Sequence, residues 1–122
     1  MKEADIQRNI IAAIKKRFGQ YCDVTNNHGS AFATAGTPDL TICILGISVY
    51  IEVKVPEHRV NGKLVARTEP TELQQRRIKK LSDARAIVGV AYSAEDALAL
   101  CEQAITRAML LYPHFGIDQL FT

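Results

Sequence analysis

The chain has 122 residues, 48% of them hydrophobic and 23% charged, which suits one ordinary globular domain and argues against a disordered tract or two separate cores. Its 15 basic and 13 acidic side chains leave a net charge of +2, which neither demands nor excludes nucleic acid; where the charges lie matters more. No apolar run approaches the ~20 residues of a membrane span, and Met1-Lys2-Glu3-Ala4-Asp5 lacks the basic-then-apolar order of a signal peptide, so a cytoplasmic protein, kept inside the cell that makes it, is expected.

The first segment reads as a helix from about Glu3 to Arg17, with Ile6, Ile10 and Ile14 repeating every fourth residue. Gly19 after the Lys15-Lys16-Arg17 cluster gives it a stop. Glu3, Gln7, Ile10 and Ile14 share one face, so a carboxylate and an amide point the same way as the core. Tyr21 to Thr25 is a short strand candidate, followed by the polar run Asn26-Asn27-His28-Gly29-Ser30. Gly36-Thr37-Pro38 then leads into two β-prone stretches, Asp39 to Leu45 and Ser48 to Val55, joined at Gly46 over a hairpin-length connection. Their nearly continuous Val, Ile and Leu content predicts a sheet covered on both faces.

Pro56 to Pro70 reads as a long, polar, charged loop carrying Gly62. Thr71, after Pro70, caps a second helix whose apolar edge is Ile78 and Leu81, with Gln74 on that same edge. Ala86 to Tyr92 is another short strand. Ser93 caps a third helix with Asp96 in a capping-box position, and Pro113 stops it. Its expected buried stripe is Leu98, Cys101, Ile105, Ala108, Met109 and Tyr112. The order αβββαβα describes a single α/β or α+β domain over residues 1–122.

Three positions carry the chemistry. Glu52 and Lys54 stand two apart on a strand and leave the same face, and the turn at Gly46 can bring Asp39 close to Glu52. Charges within an apolar strand need a partner or a metal. Two carboxylates suit an oxygen-seeking cation such as Mg²⁺, with the Val53 backbone carbonyl as a further ligand. A cation held there polarises a phosphate, and Lys54 beside it positions the attacking water or offsets transition-state charge. The plainer reading of Glu-x-Lys alone is a cross-strand ion pair on a solvated edge, with Asp39 as a turn residue. His28, His58 and His114 share no ligand spacing, and no phosphate-cradling glycine loop is present. His28 could contact a phosphate or simply sit in a turn. Cys22, Cys43 and Cys101 form no CxxC pair or zinc spacing and read as free thiols of a reducing compartment.

Gly36-Thr37-Pro38-Asp39-Leu40 followed by Ile51-Glu52-Val53-Lys54 resembles the Pro-Asp … Glu-x-Lys signature of the PD-(D/E)XK nuclease superfamily. Glu3 with Gln7 resembles the Glu-x-x-x-Gln that opens the virus-type replication-repair nuclease (VRR-NUC) group. Gln74 resembles that group's glutamine after the catalytic lysine, and the Asn26 to Gly29 run also fits. The resemblance spans roughly Glu3 to Tyr92. It implies a restriction-endonuclease-like αβββαβ core, with a mixed central sheet flanked by helices. It also implies catalytic roles for Asp39, Glu52, Lys54 and Gln74, and makes Glu3 a metal ligand with Asp39 and Glu52, next to the Val53 carbonyl. Glu3 could equally serve only to stabilise a helix N-terminus.

By the same resemblance the activity is that of a Mg²⁺- or Mn²⁺-dependent endonuclease leaving 5′-phosphates, of the standalone phage or bacterial kind associated with branched DNA such as Holliday junctions. Val55-Pro56-Glu57 after the lysine and the long loop before Gln74 depart from the group's pattern, which bears on substrate preference. A non-catalytic DNA-binding module on the same fold is the alternative. A tRNA-intron or junction enzyme of another branch of the superfamily is a remoter one. Residues 56–82 carry seven basic side chains against three acidic, and Arg76, Arg77, Lys79 and Lys80 on the second helix are the expected nucleic-acid-binding face. Leu110, Leu111, Tyr112, Phe115, Ile117, Leu120 and Phe121 crowd the tail. Such a concentration predicts either a homodimer interface or a tail folded back on its own sheet.

Overall fold

The computed structural model describes residues 2–27 and 35–121. The isoleucine repeat forms helix α1 over Glu3–Phe18, burying Ile6, Gln7, Ile10, Ile14 and Phe18. After a 3-10 turn, β1 (Cys22–Asn26) starts the sheet. β2 (Leu40–Ile44) and β3 (Ile47–Val53) form the expected hairpin. Leu45 and Gly46 turn it with φ of 51° and 83°, positive at both positions as a type I′ turn requires. The segment after β3 contains β4 (His58–Val60), β5 (Lys63–Val65) and helix α2 (Glu72–Asp83). β6 (Ile87–Ala91), α3 (Ala94–Leu111) and a 3-10 turn over Ile117–Phe121 complete the chain.

The main sheet has the order β1-β2-β3-β6. β1–β2 and β2–β3 are antiparallel, whereas β6 joins β3 in parallel. A parallel neighbour needs a crossover connection, which α2 provides. The sheet is therefore mixed and flanked by helices, as expected. Leu40, Ile42 and Ile44 of β2 and Ile47, Val49, Ile51 and Val53 of β3 point into one core with α1 and α3. Burial of each such side chain contributes about 1.5–3 kcal/mol. No helix among the described residues is long and apolar enough to cross a membrane.

Three expectations need correction. The sheet is not covered on both faces along the whole of β2 and β3: burial alternates as far as Tyr50, with Cys43 and Ser48 exposed, and only the end of β3, Ile51 to Val53, is buried on both faces. The outward positions, Thr41, Cys43, Ser48 and Tyr50, are polar or small and tolerate water, a period-two signal hidden in an apolar run. Secondly, the loop from Pro56 to Pro70 contains the β4–β5 hairpin, turned by Asn61 and Gly62 at φ of 51° and 79°. Asn-Gly is the dipeptide that type I′ turns favour most. Thirdly, α3 buries Ala97, Cys101, Ala104, Ile105 and Ala108, whereas Met109 and Tyr112 are each 42% exposed. Its small residues let the helix lie close to the sheet, and the two larger side chains fall on its flank.

The tail divides. Ile117 is buried, and Phe121 meets Phe18 and Tyr21 edge to face at 5.6 and 5.4 Å. Arg17 lies over the Phe121 ring at 5.4 Å and donates to its carbonyl at 3.2 Å. Leu110 and Phe115 stay 79% and 77% exposed.

Candidate active site

The β2–β3 register pairs Leu40 with Ile51, so Asp39 and Glu52 lie one step further along the same ladder. Glu52 belongs to the face of β3 opposite the core, and Lys54, two residues on, shares its side. The Lys54 N–H donates to the Ala91 carbonyl at 3.1 Å, which carries the β3–β6 pairing one residue past Val53. Asp39, Glu52 and Lys54 are all buried, with exposures of 7%, 1% and 9%. The solvated-edge ion pair is therefore not what forms. The Lys54 ammonium sits 3.9 Å from Glu52 Oε1, a loose contact for charges so enclosed.

Each carboxylate is held from a different direction. Asp39 Oδ2 accepts the Val53 N–H at 2.7 Å. Glu52 Oε1 accepts from Gln74 Nε2 at 3.0 Å, while its Oε2 is buried and meets no N–H donor among the described residues. Burial first, then the charge of Asp39 and a hydrogen bond shared with it, push the Glu52 carboxyl up to about 8; Glu3 adds to the rise and Lys54 opposes it. Two carboxyl groups are forced together out of water with one ammonium, that of Lys54, close to Glu52. A divalent cation would add positive charge there.

Gln74 has two roles. Its Oε1 accepts the Thr71 N–H at 2.8 Å and its N–H donates to Thr71 Oγ1 at 3.2 Å, closing a capping box at the start of α2. Its amide nitrogen is thereby turned toward Glu52. A Cβ on Gly36 would stand 2.9 Å from the Leu73 carbonyl oxygen, so the approach to Asp39 lies flat against that same helix start. The sequence marks Thr71 as a cap but does not reveal this reciprocal pair.

Asn27 is a positioning residue that nothing in the polar run around it singles out. Its side chain donates to the Pro38 carbonyl at 3.0 Å and to Thr41 Oγ1 at 2.8 Å, and its N–H donates to the Asp39 carbonyl at 2.8 Å. It fastens the end of β1 across the Pro38-Asp39 step. Glu3 is half-buried on the first turn of α1, close enough for its charge to act on Glu52, and Gln7 is buried one turn later. Both line a cleft of about 540 Å³ with Ala4, Arg8, Ile11 and Asn26. Among the described residues no group of three or more His, Cys, Asp or Glu side chains converges as a metal cluster. Asp39 and Glu52 form a pair, with Glu3 at longer range. His28 lies outside the described residues.

The four cations expected on α2 are not equivalent. Arg76 pairs with Glu72, and Lys79 pairs with Asp83 at 2.8 Å. Arg77 is half-buried with its Nε unsatisfied, and Lys80 is exposed.

No protein-family model and no curated protein sequence matches the chain. Its fold is similar to a solved structure described as a VRR_NUC domain, with a TM-score of 0.57 and 25% sequence identity over 82% of this chain and 94% of that one. The mixed four-stranded sheet flanked by helices agrees with that fold, and the Pro-Asp … Glu-x-Lys arrangement, from just before β2 to just after β3, is consistent with the PD-(D/E)XK superfamily. This likeness supports the VRR-NUC family of nuclease domains for the chain.

Proposed function

We propose that this nuclease is a metal-dependent endonuclease that hydrolyses DNA phosphodiester bonds, preferentially in branched duplexes such as Holliday junctions, leaving 5′-phosphates. The observation that carries the reading is the buried Oε2 of Glu52, which no N–H donor among the described residues meets, beside Asp39 just before the neighbouring strand. A buried carboxylate oxygen without a donor is costly unless a cation meets it.

The donor set fits Mg²⁺ or Mn²⁺: Asp39 and Glu52 would hold the ion with the Val53 carbonyl, Glu3 would stand near them, and all are hard oxygen donors. When bound, such an ion polarises the phosphate and lowers the pKa of water next to it. The chain's own groups do the rest. Gln74 fixes Glu52 through Oε1 and leaves Oε2 for the cation, while the Val53 N–H orients Asp39. Lys54, enclosed beside them, places a fixed positive charge where negative charge develops on the phosphate or holds the attacking water.

Arg77 and Lys80, which have no acidic partner among the described residues, are the members of the α2 group best suited to phosphates, with Arg76 and Lys79 behind them. A homodimer would set two sites against the two strands of a junction. Its support is the exposed part of the tail, a groove of about 320 Å³ lined by Leu45, Tyr112, Phe115, Ile117 and Leu120.

The test is incubation with plasmid, linear duplex and four-way junction DNA in Mg²⁺, Mn²⁺ or EDTA. Cleavage is expected with either ion and not in EDTA, with the junction cut fastest. Cleavage that persists in EDTA, or none on any DNA with either ion, would sink the proposal. Equal rates on junction and linear duplex would remove only the structure preference.

A further inference from the structure

The β4–β5 hairpin is unlike the rest of the fold. Its register pairs Arg59 with Leu64 and Val60 with Lys63, so Arg59 and Leu64 share one side of the ribbon and Val60 and Lys63 the other. Both sides stand in solvent, with Val60 48% and Leu64 58% exposed. An isolated two-stranded ribbon is at best marginally stable in water, and apolar side chains held out on one do nothing for folding.

Its base, by contrast, is fastened. The Thr68 N–H donates to the Val55 carbonyl at 2.9 Å, and the Val55 N–H donates to Thr68 Oγ1 at 2.8 Å. The Tyr92 hydroxyl donates to the Thr68 carbonyl at 3.1 Å, with the Arg67 guanidinium over its ring at 5.1 Å. Val55 directly follows Lys54, so the clamp anchors the ribbon's root at the candidate site.

Charge completes the case. Arg59 and Lys63 face a single acidic residue, Glu57, between Pro56 and Ala66. Among the described residues neither sits in an ion pair, and Arg59 only braces the turn through the Gly62 carbonyl at 3.2 Å. On α2, Arg76 and Lys79 are neutralised by their own helix. The hairpin thus presents two cations with no ion pair among the described residues, interleaved with the exposed aliphatic side chains of Val60, Leu64 and Val65.

We propose that the β4–β5 hairpin is an arm that lies in a groove of the duplex flanking the scissile phosphate. Arg59 and Lys63 meet phosphates, and Val60 and Leu64 lie against sugars and base edges. The major groove of B-DNA, about 12 Å wide, admits a two-stranded β-ribbon. The six steps from Val55 to Asn61 span at most roughly 20 Å at about 3.3 Å each, enough to reach from the site into the adjoining groove. The proposal rests on the nuclease reading and adds where the duplex is held.

The experiment is equilibrium binding of the full chain to a short labelled duplex in EDTA, across a salt series, so that cleavage plays no part. Arg59→Ala/Lys63→Ala should weaken binding about ten-fold and reduce the slope of log K against log[salt] by close to two phosphates' worth, about 0.9 each. Val60→Ser/Leu64→Ser should weaken binding and leave the slope intact. All four side chains are on the ribbon and outside the core, and thermal midpoints matching the parent's would show the fold unchanged. Parental affinity and slope in both variants would overturn the arm. So would a slope lost only in Arg77→Ala/Lys80→Ala, which places the duplex on α2. A parent that binds duplex yet cuts no DNA with any divalent ion defeats the nuclease reading, while these binding data still judge the arm.

Discussion

The two hairpins of this domain share a turn and differ in almost everything else. β2 and β3 meet at Leu45-Gly46, β4 and β5 at Asn61-Gly62, and φ is positive at all four positions. Leucine in the left-handed region costs about 1–2 kcal/mol, whereas asparagine visits it readily. β2–β3 sustains the poorer turn because Leu40, Ile42, Val49 and Ile51 are buried on its inner face, so packing determines its register. β4–β5 has no such support and carries the better turn residue. One hairpin is a rigid frame that can enclose Asp39 and Glu52; the other is an exposed ribbon held by its turn and its clamped base. Turn chemistry closes both, and burial decides what each can carry.

The largest expected contrast is catalytic. Lys54→Ala, at the end of the rigid hairpin's ladder, should lower the cleavage rate about 10²–10³-fold with divalent-metal binding largely kept. Single-turnover kinetics with metal titration measure both, and a parental rate would remove the lysine from the mechanism.

Stability should divide in the same way. Ile42→Ala should cost about 2–5 kcal/mol by opening the core, while Leu64→Ala on the ribbon should stay within about 0.5 kcal/mol. Urea denaturation decides it. Equal losses would mean that the ribbon packs against something that its exposure does not reveal.

Gln74 permits a finer separation of site from scaffold. Gln74→Glu keeps an acceptor for the Thr71 N–H, so α2 should retain its cap, but it sets another carboxylate against Glu52. Activity should fall about 10–100-fold, as for other residues that orient metal ligands, with the melting temperature nearly unchanged. A loss of stability without loss of activity would confine Gln74 to capping.

The smallest effects come from exchanging the turn residues. Asn61→Leu should abolish amide-exchange protection in residues 58–65 and leave global stability within about 0.5 kcal/mol. Leu45→Asn should leave β2–β3 intact, because relief of backbone strain offsets the weaker apolar packing at this half-buried position. Global unfolding caused by Asn61→Leu would break the comparison.

How far the sequence foretells this arrangement follows from which interactions are local. Glu52 and Lys54 share a face by strand periodicity, and Asp39 comes opposite Glu52 once the turn is placed at Gly46, so the centre of the site is legible. The link from Gln74 to Glu52 depends on how α2 sits on the sheet, and the hold of Asn27 on the Pro38-Asp39 step depends on β1 pairing with β2; no spacing encodes either. Asn61-Gly62 is a local signal, masked by the charged residues around it. The tail is half legible: Ile117 and Phe121 fold back onto α1 and its neighbours, while Leu110 and Phe115 remain outside.

The central claim is that Glu52 is enclosed to meet a cation and not to stabilise the fold, and Glu52→Gln tests it most directly. With a folded-state value of about 8 against an ordinary 4.5, the metal-free parent has the stability of a protonated Glu52 in full below 4.5 and loses it as pH rises through about 8. Glutamine mimics that protonated form. The variant's metal-free melting temperature should therefore equal or exceed the parent's near neutral pH, and its stability should lack that alkaline decline. Mg²⁺ should no longer raise its melting temperature, and cleavage should be gone. A variant that loses about 3–5 kcal/mol, the cost of breaking a buried structural ion pair, yet still cleaves DNA in Mg²⁺ would contradict the account.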